Sequence, residues 1–266
     1  MKHTLYKIVV LLMFISVAAN PGLSEDAAEP EVSPIEPEAM SILMNMAQNL
    51  STLKKVKVEI KNGYDAVQRS GQKIEFGSVR VVKYKRPNMC RYDVTERNGD
   101  KKGFVFDGNN ITVFDDEDMV YATAPKPGTC DGAIDYFKKE LQMPLPLSQL
   151  FNSKLPEKFE EFITEATLVE EPIWGKDPIS HIAFRTEEVD VQVWVNTKKN
   201  LPKRVIISYK NALEHPQYWA YFKEWDLSPR LKDSEFKYEP PKSYEKIVFS
   251  PVKIMEMKEE KKNVEK

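Results

Sequence analysis

GFVFDGNNITVFDDEDMVYATAPKPGTCDGAIDYFKKELQMPLPLSQLF, residues 103–151, starts with the two-residue period of strands and ends with the period of a helix. Three short strands are expected at 104–106, 111–114 and 119–123. Gly108-Asn109 suits the first connecting turn, because both residues tolerate positive φ. Asp116-Glu117 would form the second. Pairing Phe106 with Ile111 puts Phe104, Phe106, Ile111, Val113, Val120 and Ala122 on one face. Val105, Phe114, Met119 and Tyr121 fall on the other. A sheet wetted on one side alternates apolar and polar residues. This one is apolar on both sides, so each face needs a cover or borders a cavity. The cover follows in the chain. Pro125, Pro127 and Gly128 end the meander, and Thr129 can cap a helix. Cys130, Ile134, Phe137 and Leu141 then recur along one helical face, with Asp135, Lys138 and Lys139 away from it. Pro144 and Pro146 break that helix, and Leu147, Leu150 and Phe151 begin another apolar turn. The expectation is an antiparallel sheet with a helical lid inserted between two strands, Phe151 helping to close its mouth.

Upstream, Pro37 can open a helix at its first turn. Ala39, Met40, Ile42, Leu43, Met44, Met46, Ala47, Leu50 and Leu53 make that helix apolar around more than half its girth. Its methionines read either as an adaptable ligand lining or as ordinary core. Strands are expected at 56–60 and 64–68, with Asn62-Gly63 bulging or turning between them, then at 73–84 and 89–95. Downstream, 156–162 reads as a short helical connection. Strands resume at 164–169, 178–185, 189–195, 201–210 and 217–227, the last one aromatic at Tyr218, Trp219, Tyr221, Phe222 and Trp225. Residues 235–241 and 247–249 are short closing pieces. The fold class is α+β: one strongly curved antiparallel sheet of about ten or eleven strands, an N-terminal helix and a mid-chain helical lid.

Lys2, His3 and Lys7 precede an apolar run at 8–17, and Val17-Ala18-Ala19 offers small residues at a cleavage site. Residues 1–19 therefore read as a cleavable signal peptide and the product as periplasmic, at most peripheral to a membrane. Residues 20–37, rich in Pro, Glu, Ala and Ser, read as a disordered linker, and 250–266 as a charged, solvated tail. A formal charge of −2 gives no support for a nucleic-acid partner.

Two cysteines, Cys90 and Cys130, either form a bridge or remain two buried thiols. With three histidines, one of them in the leader, they match no metal-ligand spacing, and no cofactor is expected. The acidic tip Asp115, Asp116, Glu117 and Asp118 lacks the alternate spacing of a calcium loop and reads as a solvated turn. His181 has no Ser or Cys nucleophile motif beside it and reads as a satisfied strand residue. No acid, base and nucleophile converge, so an enzyme is not expected.

Several segments resemble one group. They are YATAPKPGTCDGAIDYF (121–137), MPLPLSQLF (143–151), HIAFR (181–185), VDVQVWVNTKKNLPKRVIISYK (189–210) and DSEFKYEPP (233–241). Trp194-Val195-Asn196 with Leu201-Pro202 and Arg204, and Phe236, Tyr238, Pro240 and Pro241, carry the wider pattern. The chain is similar to a family of predicted periplasmic proteins, itself uncharacterised, that is related to the LolA/LolB lipoprotein-carrier superfamily. The resemblance spans 38–249 as a single LolA-like domain. It implies a half-open barrel capped by helices, with acyl chains held between sheet and helices. The function expected is a carrier or chaperone for a lipid-like, acylated or lipoprotein ligand. The alternative is a non-transporting protein-interaction or sensory module with an envelope-protein partner. The residues expected to bind ligand are Met40, Met44, Phe104, Phe106, Phe114, Tyr121, Ile134, Phe137, Leu141, Leu147 and Phe151.

Overall fold

The computed structural model describes residues 34–141, 145–171, 173–174 and 177–249. The expected signal peptide, the expected linker as far as residue 33, Pro144 and the expected charged tail lie outside the described residues. Helix α1 (Pro37–Thr52) begins at its proline. The three residues before it are not linker. Ile35 bridges Ala166, the Glu36 N–H donates to the Ala166 carbonyl at 2.8 Å, and the Glu36 carboxylate accepts from the Leu168 N–H at 2.8 Å.

Six strands follow: β1 (Lys55–Val67), β2 (Lys73–Lys85), β3 (Met89–Glu96), β4 (Lys101–Phe106), β5 (Asn110–Asp115) and β6 (Val120–Pro125). Each pairs antiparallel with the next. The insertion holds α2 (Cys130–Lys139), a 3-10 turn (Ser148–Phe151) and α3 (Leu155–Phe162). Then come β7 (Glu165–Glu170), β8 (Ile173–Trp174), β9 (Asp177–Arg185), β10 (Val189–Asn196), β11 (Leu201–Tyr209) and β12 (Gln217–Asp226). The last is β13 (Glu245–Ile247).

The sheet order is β13-β6-β5-β4-β3-β2-β1-β12-β11-β10-β9-β7, with β8 paired to β9 off that path. Because β1 pairs with β12, the two halves form one open, curved sheet. It does not close into a barrel, and its 13 strands exceed the expected number. The two extra strands, β8 and β13, are too short to leave a period in the sequence. β13 also pairs parallel to β6, a contact made across more than a hundred residues.

Phe106 faces Ile111 and Val113 faces Ala122, as the alternation requires. The Asp107 carboxylate fixes the turn by accepting from the N–H groups of Asn109 (2.9 Å) and Asn110 (2.7 Å). Met119 is not in a strand. It ends the second turn at φ 54° and is 53% exposed. Nor does Asn62-Gly63 turn the chain, since both lie inside β1 and the register shift falls between Glu59 and Ile60. Gly63 serves a different purpose. A Cβ there would sit 2.6 Å from the Trp219 indole, so only glycine lets that ring lie across the strand.

The inner face of the sheet carries the core. Val58, Val82, Tyr84, Phe106 and Ile111 belong to one buried cluster with Leu43 and Leu50 of α1, Ile134 and Phe137 of α2, and Phe151. The Phe151 ring stacks on Tyr84 at 5.0 Å and tilts against Trp225 at 6.1 Å. The outer face of the first half is covered by the segment before β13. Phe236 is fully buried, Tyr238 stacks on Phe114 at 4.5 Å, and Glu235 pairs with Lys83 at 2.8 Å.

Candidate ligand cavity

The insertion is anchored at its start. The Thr129 hydroxyl accepts from the Gly132 N–H at 3.2 Å, capping α2, and the Cys130 N–H donates to the Pro87 carbonyl at 2.8 Å. Arg86 donates from Nη2 to the Phe151 carbonyl at 2.6 Å and lies 3.9 Å from Asp131. These bonds tie the insertion to the β2–β3 hairpin. Its far side, at Phe137, Leu145 and Pro146, overhangs a cavity of about 730 Å³. Ligand pockets commonly span roughly 300–1,000 Å³.

The cavity continues the inner face of the sheet. Tyr92, Phe104 and Val113 form its wall on the first half, and Tyr218 of β12 forms the opposite wall. The Phe104 and Phe137 rings touch at 5.0 Å where core gives way to cavity. The rim is charged: Glu96 pairs with Lys102 at 2.6 Å, and Asp115 and Asp118 lie nearby.

Of the expected ligand residues, Phe104, Phe114, Tyr121 and Phe137 border this space. The rings of Phe114 and Tyr121 also lie against Tyr238, at 4.5 and 6.0 Å. Phe106, Ile134, Leu141, Leu147 and Phe151 are part of the packed core. They lie where the helices pack on the sheet. Met40 is half-buried against that core, Met44 is half-exposed, and the fully buried methionine of α1 is Met46.

The sequence reading missed Arg80, Tyr209 and Tyr218, which all border the cavity. A signal was present: Arg80 stands in phase with Val82 and Tyr84, so alternation aims it inward. Its guanidinium lies 5.8 Å from the centre of the Tyr218 ring. Burial pushes the Tyr218 phenol up to about 12, with Arg80 acting in the opposite direction.

Cys90 and Cys130 are free and buried. Burial pushes the Cys90 thiol well up, and Cys130 adds to the shift. His181 stacks on Trp194 at 4.0 Å and shares a 3.1 Å hydrogen bond with Gln192. At the acidic tip, Asp115 accepts from the Glu117 N–H at 2.9 Å, closing the turn on itself.

The chain thus forms an open, mostly antiparallel sheet with a helical insertion across one end and a cavity beside it. The chain belongs to the family described as predicted periplasmic protein (DUF2092), which matches residues 39–250, and the protein is periplasmic. No curated protein matches it. Among solved structures it is similar to LprF from Mycobacterium bovis, at 10% identity and TM-score 0.44, covering 79% of this chain and 99% of that one. A LolA superfamily protein, NE2245 from Nitrosomonas europaea, matches at 12% identity and TM-score 0.36, covering 75% and 97%. The MucA/MucB complex of Pseudomonas aeruginosa matches at 10% identity and TM-score 0.41, covering 76% of this chain. This chain spans only 61% of the chain it matches there. Among the described residues, no helix is long and apolar enough to cross a membrane.

Proposed function

We propose that this periplasmic protein is a carrier or chaperone that binds, without catalysis, a lipid-like or lipoprotein ligand. An acyl chain would lie in the cavity between the inner face of the sheet and the insertion. The observation that carries this reading is the 730 Å³ space itself, with Phe104, Val113 and Phe137 along it. Burying a methylene there is worth about 0.8 kcal/mol, so an acyl chain suits such a wall. The test is organic extraction and mass spectrometry of protein prepared from its periplasm without detergent. Stoichiometric acylated lipid or acyl-peptide is expected. Protein free of lipid that also takes up no apolar dye would contradict the reading.

A second reading is a docking module for an envelope protein. It is favoured by one exposed aromatic patch. Tyr64 and Phe76 stack at 6.0 Å across β1 and β2, and Phe76 is 47% exposed. Tyr64 also borders the cavity, so a partner seated there would cover the opening.

A further inference from the structure

Away from its charged rim, the cavity wall carries a polar cluster on the inner face of the sheet. Arg80 on β2 and Tyr218 on β12 flank β1 and project from the same inner face. Tyr218 is only 2% exposed, yet its hydroxyl has no hydrogen-bond partner among the described residues. Arg80 Nε is also buried and unpartnered. Asn62, diagonal to both across the strand pairs, holds its Oδ1 on the Ser78 hydroxyl at 3.1 Å and leaves its amide nitrogen unused. The neighbouring carboxylates are engaged elsewhere. Glu96 is held by Lys102 at 2.6 Å, and Asp65 accepts from the Gln217 N–H at 2.9 Å. Among the described residues, the Tyr218 hydroxyl and Arg80 Nε at one end of the space, and the Asn62 amide nitrogen beside them, therefore stand without a partner. Buried donors without partners are costly. A ligand anion beside the partly buried Arg80 would satisfy them.

We propose that Arg80 and the Tyr218 hydroxyl form an anion pole that takes the oxyanion head of an acyl amphiphile, either a carboxylate or a phosphate. This rests on the carrier reading and adds to it the chemistry of the head group. The acyl chain runs from that pole toward Phe104 and Phe137. Arg80 supplies the charge and a planar pair of donors, and Tyr218 supplies one hydroxyl donor.

The test is displacement of the neutral dye N-phenyl-1-naphthylamine from the full chain by oleate, oleyl alcohol and oleoyl lysophosphatidate. The wild-type protein is expected to prefer an anionic head over the alcohol by about tenfold or more. Whichever of oleate and the lysophosphatidate displaces dye at lower concentration identifies carboxylate or phosphate as the head group. Arg80→Gln should bring both acids to the level of the alcohol, Arg80→Lys should restore part of the preference, and Tyr218→Phe should weaken the acids a few-fold. Dye and alcohol binding should change far less than acid binding in all three, which also shows that the cavity has survived. Equal binding of acid and alcohol by the wild-type protein, or a preference that survives Arg80→Gln, would overturn the proposal while leaving the carrier reading standing. Failure of the dye and of every acyl compound to bind would remove the carrier reading, and this one with it.

Discussion

The two ends of the inner face are built from the same strands and differ in what lies over them. At one end Tyr84, Phe106 and Ile111 are sealed into a cluster with Leu43, Ile134 and Phe151. At the other, Arg80, Val94, Val113 and Tyr218 face a cavity. β2 passes from one regime to the other within five residues, from Arg80 to Tyr84. Strand alternation decides which side chains point inward, and the length of the cover decides which of them are packed. A strand of 13 residues reaches about 43 Å, whereas the 10-residue α2 reaches about 15 Å. The insertion's cover ends at Phe137, Leu145 and Pro146, and the inner face beyond them stays open.

Truncation at the sealed end should have the largest effect. Phe106 is fully buried, so Phe106→Ala should cost about 3–5 kcal/mol, the transfer term plus a sealed void. The denaturant midpoint should fall with its slope unchanged, and dye affinity per folded molecule should hold. Phe137→Ala sharpens the contrast, because Phe137 lies on the boundary. The space it vacates joins an existing cavity, so about 1.5–3 kcal/mol is expected, the transfer term alone. Dye affinity should drop in this variant. Equal stability losses in the two variants would mean that the boundary is drawn in the wrong place.

A smaller effect is expected at high pH. Tyr218 titrates at about 12 in the fold because burial disfavours its charged form, against an ordinary value of 10.0. The folded chain thus holds that proton more tightly than the unfolded chain. The contribution is complete below about pH 10 and is lost as pH rises through 12. Tyr218→Phe should therefore move the alkaline unfolding midpoint upward. An unmoved midpoint would mean that the phenol is hydrated.

The sealed end was largely legible in sequence and the open end was not. Phe106 opposite Ile111 followed from local turn chemistry at Gly108 and Asn109, and Thr129 with the Ile134–Phe137 spacing followed from helix rules. These are contacts between residues close in the chain. The open end is assembled from β2 to β5 and β12, and β1 meets β12 through a pairing that joins residue 60 to residue 222. No periodicity announces such a partner. Gly63 was misread for the same reason, since the Trp219 ring that requires it lies on that distant strand. Phe114 and Tyr121 border the cavity, but their contact with Tyr238, which arrives more than a hundred residues later, left no local signal.

The most direct measurement fills the open end. Val113 lines the cavity and is half-buried, so Val113→Trp places an indole into existing space. Overpacking penalties belong to filled cores, so the denaturant midpoint should change by less than about 1 kcal/mol. Titration with N-phenyl-1-naphthylamine should show at least about tenfold weaker binding, or roughly 1.4 kcal/mol. Unaltered dye affinity in a folded Val113→Trp protein would contradict the assignment of this cavity as the ligand site.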